Sequence, residues 1–209
     1  MPVSLKGLLV DYGGVLTTNV WDSFRAFCDA EGLDRNEVKR LFRDDPEALG
    51  LLRRLETGEL TEEEFAAAFG PMLGLAEDRR DDLVERLFAG MQPEEAMFEA
   101  LRRARAAGVR TGMISNSWGR GRYDRSRFGE LFDGVVISGE VGLHKPQAQI
   151  FELGAERVGL PPSQCVFVDD LRENCEGAEA VGMISVLHRG AAETIARLEE
   201  LLGVPLRAS

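Results

Sequence analysis

The residues best able to do chemistry in this chain fall in four short clusters. They are Asp11-Tyr12-Gly13-Gly14-Val15-Leu16-Thr17, then Ser115-Asn116-Ser117, then Gly142-Leu143-His144-Lys145-Pro146, and finally Asp169-Asp170 followed by Asn174 and Gly177-Ala178. A carboxylate can attack phosphorus and form an acyl phosphate, splitting one hard hydrolysis into two easier steps. Carboxylate and phosphate are both anions, so that chemistry needs a cation between them, and magnesium, which prefers oxygen ligands and keeps several waters, suits the task. Hydroxyl and backbone N–H groups hold phosphate oxygens, and a lysine neutralises charge on both partners. Singly, each residue has a plainer reading: Asp in a turn or cap, Ser-Asn in an ordinary loop, Lys145 as a solvated side chain before proline. Jointly, in this order, those plainer readings are poor.

Such clusters need a scaffold, and the apolar runs supply one. Residues 7–10, 109–114, 134–137 and 165–168 are rich in Val, Ile and Leu without polar alternation, and 183–186 is a weaker fifth run. Runs of this kind suit parallel strands covered on both faces. Helical patterns at 94–107, 147–158 and 173–181 separate the later ones. Strand, helix, strand in this rhythm predicts an α/β fold with a right-handed doubly wound parallel sheet. Three clusters then sit at carboxyl ends of strands, and the Lys145 cluster follows the third strand.

The stretch from Asn19 to Gly90 breaks the rhythm. It reads as helices throughout, at 22–31, 35–43, 47–56, from Thr61 through Phe69, and at 77–89. Phe24, Phe27 and Cys28 fall on one face of the first, and Thr61-Glu62-Glu63-Glu64 is a capping-box signature. An insert between the first two strands lies over their carboxyl ends if both junctions are there, where ligands of such sheets bind. The tail from Gly203 onward is expected to be loosely held.

The order of the four clusters resembles that of the haloacid dehalogenase-like (HAD) hydrolase superfamily, in the subgroup whose helical cap follows the first strand. The resemblance covers nearly the whole chain. It implies a Rossmann-type core from residues 1–18 and 91–209 and a helical cap from 19–90. It implies a magnesium-dependent, phosphatase-type hydrolase acting on a small phosphorylated molecule through an aspartyl-phosphate at Asp11. On this reading Asp11, the Gly13 carbonyl and Asp170 are metal ligands, with Asp169 a further ligand or an acceptor behind them. Ser115 and Asn116 hold phosphate oxygens, and Lys145 serves both Asp11 and the phosphoryl group.

One position departs from the pattern. Phosphatases of this family carry a second Asp two residues after the nucleophile, which protonates the leaving group and then activates water; here that position is Gly13. Such a group contributes about 10²–10⁴-fold. Its role passes to His144 or to Arg43, Arg53 or Arg54 on the cap, or the leaving group needs no acid, or the protein binds a phosphorylated ligand or protein partner without turnover. Phosphonate-cleaving relatives also lack this carboxyl and use a cap lysine, for which only Lys39 is available. A dehalogenase is the minor alternative. Related dehalogenases have a tyrosine-type residue where Gly13 stands and lack the acidic pair, whose mutual repulsion calls for a cation.

Bulk properties narrow the partners. The 209 residues have a formal net charge of -11, which disfavours nucleic acid and anionic membranes. The first apolar run meets Asp11 after a few residues, too soon for a signal peptide or a span. Three cysteines, Cys28, Cys165 and Cys175, suggest reduced thiols in a cytoplasmic protein, and with two histidines they make a zinc site improbable. Arg120, Arg122, Arg125 and Arg127 crowd after the second cluster, as anion binders or as a solvated loop. Trp21 and Trp118 stand ready to line a pocket or to seal the cap.

Overall fold

The apolar runs form one sheet. In the computed structural model, which describes residues 4–117, 119 and 123–207, the strands are β1 (Gly7–Val10), β2 (Arg110–Ser115), β3 (Gly134–Ile137), β4 (Cys165–Asp169) and β5 (Ile184–Leu187). All pairs are parallel, in the order β3-β2-β1-β4-β5. After β1 come α1 (Val20–Glu31), α2 (Glu37–Asp44), α3 (Pro46–Glu56), α4 (Glu62–Met72) and α5 (Leu83–Phe88). The others are α6 (Glu95–Ala106), α7 (Phe128–Leu131), α8 (Ser138–Val141), α9 (Ala148–Arg157), α10 (Arg172–Ala180) and α11 (Ala191–Leu202). This is the expected doubly wound α/β core.

Successive strand residues point to opposite faces, which divides the core. On one face Leu8, Val10 and Val168 pack with Leu101 of α6 and Leu198 of α11. On the other, Leu9, Ile114 and Phe167 pack with Ile150 and Phe151 of α9 and Ala178 of α10. Both faces are covered, so the strands read as unbroken apolar runs. Helices α1–α5 enclose a third core of their own, including Phe24, Phe42, Phe65, Phe69 and Leu87. Phe42 and Phe69 stack there at 4.8 Å. The capping box opens α4 as its residues require: the Thr61 hydroxyl accepts from Glu64 N at 3.1 Å, and the Glu64 carboxylate accepts from Thr61 N at 2.9 Å. Between 77 and 89 the helix is shorter than expected. A 3-10 turn at Glu77–Arg79 gives way to Asp82 at φ 53°, and only Leu83–Phe88 is α-helical.

Two sets of contacts fix the helical insert over the sheet. Its junctions lie side by side, with Thr18 N donating to Gln92 O at 2.8 Å and Glu94 N donating to Leu16 O at 2.9 Å. At its other end, the Glu56 carbonyl accepts from the Ser138 hydroxyl just after β3. There Gly58, at φ 77°, lies so near Gly139 that a Cβ would stand 2.8 Å from its carbonyl oxygen. No helix among the described residues is long and apolar enough to cross a membrane.

The C-terminal segment differs from expectation. After α11 stops at Gly203, with φ 70°, Leu206 folds back into the core with 1% exposure. The Glu199 carboxylate accepts from Leu206 N at 2.8 Å and Arg207 N at 3.0 Å. So short a segment left no periodic signal, yet burying Leu206, with Val204 packed beside it, outweighs the entropy of fixing it. Leu206→Ala is expected to cost about 2–3 kcal/mol, at the low end for a buried leucine. Urea unfolding checks this, and an unchanged midpoint would mean the tail contributes nothing.

Candidate active site

The sheet brings the predicted acids together. Asp11 directly follows β1, and Asp169 ends β4, the strand beside it. Asp11, Asp169 and Asp170 each offer an oxygen, and these oxygens lie within 4.8 Å of one another. Lys145 is 1% exposed, with Nζ 2.8 Å from Asp11 Oδ1 and 2.7 Å from Asp169 Oδ2. Gly14 explains part of the closeness. At φ 78°, a Cβ there would sit 2.5 Å from Asp170 Oδ2, so the turn after Asp11 approaches that carboxylate only as glycine.

The two acids of the pair differ in their surroundings. Asp169 is fully buried, and its oxygens accept from Leu171 N at 2.9 Å, Asn174 Nδ2 at 3.0 and 3.1 Å, and the lysine. Asp170 is part-exposed, and its carboxyl is pushed up to about 6 by burial and by the Asp169 charge. Asp11 is pushed up to about 7. Burial is the largest cause, Lys145 opposes it, and the charges of Asp169 and Asp170 add to it. Burial alone would lower Lys145, but Asp11 and Asp169 more than offset this and hold it well above its usual range. Three carboxylates against one contacting ammonium leave two negative charges. An all-oxygen donor set with that excess fits a hard divalent cation such as magnesium.

The second cluster is placed beside this group. Ser115 is buried, and its Oγ accepts from the Tyr123 hydroxyl at 3.0 Å. The Asn116 side chain has another task. Its Oδ1 accepts from Lys145 N at 2.9 Å, and its Nδ2 lies 3.0 Å from His144 Nε2. It pins the lysine loop, so the backbone N–H and not the amide is what Asn116 can offer an anion. His144 Nε2 also meets the buried carboxylate of Glu56 on α3. A chain of contacts thus runs from the helical insert to the lysine.

Glu56, Tyr123 and Asn174 were not assigned roles from sequence. Glu56 looks like one more charged residue at a helix end, and nothing local marks Tyr123 as facing Ser115. The cations of the helical insert do not converge on Asp11. Arg43 pairs with Asp44, Arg53 is exposed, Arg54 lies 3.8 Å from Glu59, and Lys39 sits over the Trp21 ring at 5.5 Å. Trp21 itself packs edge-on against Phe24 inside the insert. Arg125 pairs with Glu140 and Arg127 with Glu95, as a solvated loop would, while Arg120, Arg122 and Trp118 lie outside the described residues. Burial pushes the Cys165 and Cys175 thiols up to about 11, consistent with inert packing.

Comparison with known proteins adds to this geometry. The sequence profile of the haloacid dehalogenase-like hydrolases matches residues 5–182. A phosphatase from Mycobacterium tuberculosis is 28% identical over 92% of this chain and 91% of its own length. Acyl-CoA dehydrogenase family member 10 from Mus musculus is 30% identical over 73% of this chain, but the match spans only 15% of that longer protein. A HAD family enzyme from Bacteroides thetaiotaomicron, solved with magnesium and inorganic phosphate, superposes with a TM-score of 0.63 at 22% identity, covering 88% of this chain and 93% of that one.

The raised acids make a prediction with a definite sign. A carboxyl whose folded pKa is above its ordinary value stabilises the protein when protonated, and that stability is lost as pH rises through the folded value. For the metal-free protein the loss sets in above the ordinary value of 3.8 and is complete once pH has risen through about 6 and 7. A divalent cation binds the ionised form, so magnesium chloride should raise Tm by several degrees at pH 8 and far less at pH 5. Thermal melts at both pH values check this, and equal shifts would contradict it.

Proposed function

This chain belongs to the haloacid dehalogenase-like hydrolases, and from that premise we propose that it is a magnesium-dependent phosphate monoesterase acting on a small phosphorylated molecule. The observation that carries the reading is the triad of Asp11, Asp169 and Asp170 around buried Lys145. The mycobacterial relative named a phosphatase, matched over nearly its whole length, supports it, as does the Bacteroides enzyme solved with magnesium and phosphate. The chain is assigned to the subgroup with a helical cap after the first strand, with a core of residues 1–18 and 91–209 and a cap of 19–90. The separate apolar core of α1–α5 and the paired junctions favour that division.

Asp11, the Gly13 carbonyl and Asp170 would hold the magnesium ion, which when bound supplies positive charge between the carboxylates and an incoming phosphate. Asp169, already occupied by Lys145, Asn174 and Leu171 N, serves chiefly to hold the lysine. Ser115 Oγ and the Asn116 backbone N–H hold phosphate oxygens, and Lys145 keeps Asp11 ionised and oriented. Asp11 Oδ forms a bond to phosphorus as the ester P–O bond breaks, the electron pair leaving on the departing oxygen. Water then attacks the aspartyl-phosphate, its proton passes to solvent, and the Asp11 carboxylate returns.

Gly13 stands where phosphatases of the family carry their acid/base Asp. Its backbone does not demand glycine: φ is not positive, and an added Cβ would meet only Val20 Cγ2, at 3.3 Å. The site therefore favours leaving groups that depart unprotonated. The net charge of -11 suits a small ligand over nucleic acid or an anionic membrane surface. Three free, buried thiols suit the reducing cytoplasm, where we place the protein.

Two substitutions test the reading in a magnesium-dependent assay with aryl and sugar phosphates. Asp11→Asn should abolish turnover, and persistent activity would remove the mechanism. Gly13→Asp should raise kcat for poor leaving groups by about 10²–10⁴-fold while changing good ones little. A parent with no turnover on any ester, awakened only by Gly13→Asp, would instead identify a binding protein derived from a phosphatase.

A further inference from the structure

A cavity of about 410 Å³ opens beside Gly13 and reaches Ser115, so it adjoins the place assigned to the phosphoryl group. Resting on that assignment, we infer that this cavity receives the leaving group and that the substrate is a phosphate ester of an apolar, phenol-type alcohol. The apolar walls are Val20, Phe88, Met91, Phe98, Phe128 and Leu131. Tyr12 and Tyr123 add ring surface, packed edge to face at 4.8 Å, and Tyr123 in turn meets Phe128 at 6.2 Å. A volume of this size accommodates an aromatic ring system with substituents.

The polar groups of the lining argue against a sugar or a nucleotide. Thr17 Oγ1 accepts from Gly14 N at 3.2 Å and lies 3.2 Å from Thr18 O, to which it donates. Ser115 Oγ accepts from Tyr123. Sugar hydroxyls would lose water and, with the Thr17 and Ser115 hydroxyls engaged, find partners only in the exposed Glu85, Gln92 and Asp124, an unfavourable exchange. Among the described residues the one basic member of the lining, Arg127, is held by Glu95 at 3.1 and 3.0 Å, with its guanidinium 3.9 Å from the Phe98 ring centre. Glu85 and Asp124 are exposed and acidic, so a second phosphate or carboxylate on the ligand would be repelled. An apolar ring, in contrast, gains by leaving water and meets aromatic edges.

The same conclusion follows from the leaving oxygen. Gly13 supplies no proton, so that oxygen departs as an anion, and a phenol with pKa of about 10 does so more readily than an alkyl alcohol. Apolar walls and a missing acid thus select one ligand class for two separate reasons.

Binding measurements in excess magnesium test this without relying on turnover. Calorimetric titration would compare naphthylmethylphosphonate, methylphosphonate, glucose 6-phosphate and inorganic phosphate. Naphthylmethylphosphonate should bind at least about tenfold more tightly than methylphosphonate. Met91→Asp and Phe128→Ala should each remove most of that gain while leaving inorganic phosphate affinity unchanged, which also certifies folding. Equal affinities in the parent, a gain that survives both substitutions, or tighter binding of glucose 6-phosphate would overturn the apolar assignment while leaving the phosphatase reading intact. Failure of every ligand to bind, inorganic phosphate included, would overturn both.

Discussion

Three carboxylates held within reach of one buried lysine set the terms for the rest of this molecule. Brought together at the edge of a parallel sheet, they repel one another, and burial strengthens that repulsion by withdrawing water. Burial first, and this repulsion with it, push Asp11 and Asp170 well above the ordinary carboxylate range. Lys145 relieves part of the strain and is itself held charged by doing so. The remainder is a standing demand for a divalent cation. Every element around the group keeps it in place: Gly14 lets the first turn approach Asp170, Asn174 secures Asp169, and Asn116 fixes the loop that carries the lysine.

The helical insert takes part in this arrangement. Its junctions are zipped by Thr18 and Gln92, and its far end reaches the carboxyl end of β3 through Glu56 and Gly58. Glu56 is bound twice, its carbonyl by Ser138 and its carboxylate by His144. His144 adjoins Asn116, which in turn holds the backbone of Lys145. The position of the insert and the position of the lysine are therefore mechanically linked. On the proposed reading this couples the lid over the cavity to the charge balance beneath it.

Much of this was legible in the amino-acid sequence, and the reason is periodicity. Strands buried on both faces leave unbroken apolar runs, and a parallel sheet places the residue after each run at one edge, so Asp11, Ser115 and Asp169 could be grouped before any coordinates. The capping box at Thr61 and the helical face bearing Phe24, Phe27 and Cys28 were equally local signals. What escaped were contacts between residues far apart in the chain. Glu56 meets His144 across 88 positions, and the Tyr123 hydroxyl meets Ser115 with no periodic pattern to signal it. The burial of Leu206 had no pattern to announce it. The cavity beside Gly13 is likewise assembled from residues of several elements, each unremarkable where it stands in the sequence.

The most direct test of the charge balance is proton release on cation binding. At pH 6.5, between the values of Asp170 and Asp11, part of the acid population is protonated, and a divalent ion must displace those protons to bind. Titrating magnesium into weakly buffered protein at this pH should release a substantial fraction of a proton per ion bound, falling toward zero at pH 9. Asp170→Asn should abolish both binding and release. Tight magnesium binding with no proton release, undiminished in Asp170→Asn, would show that the ion sits elsewhere and that these acids do not form its site.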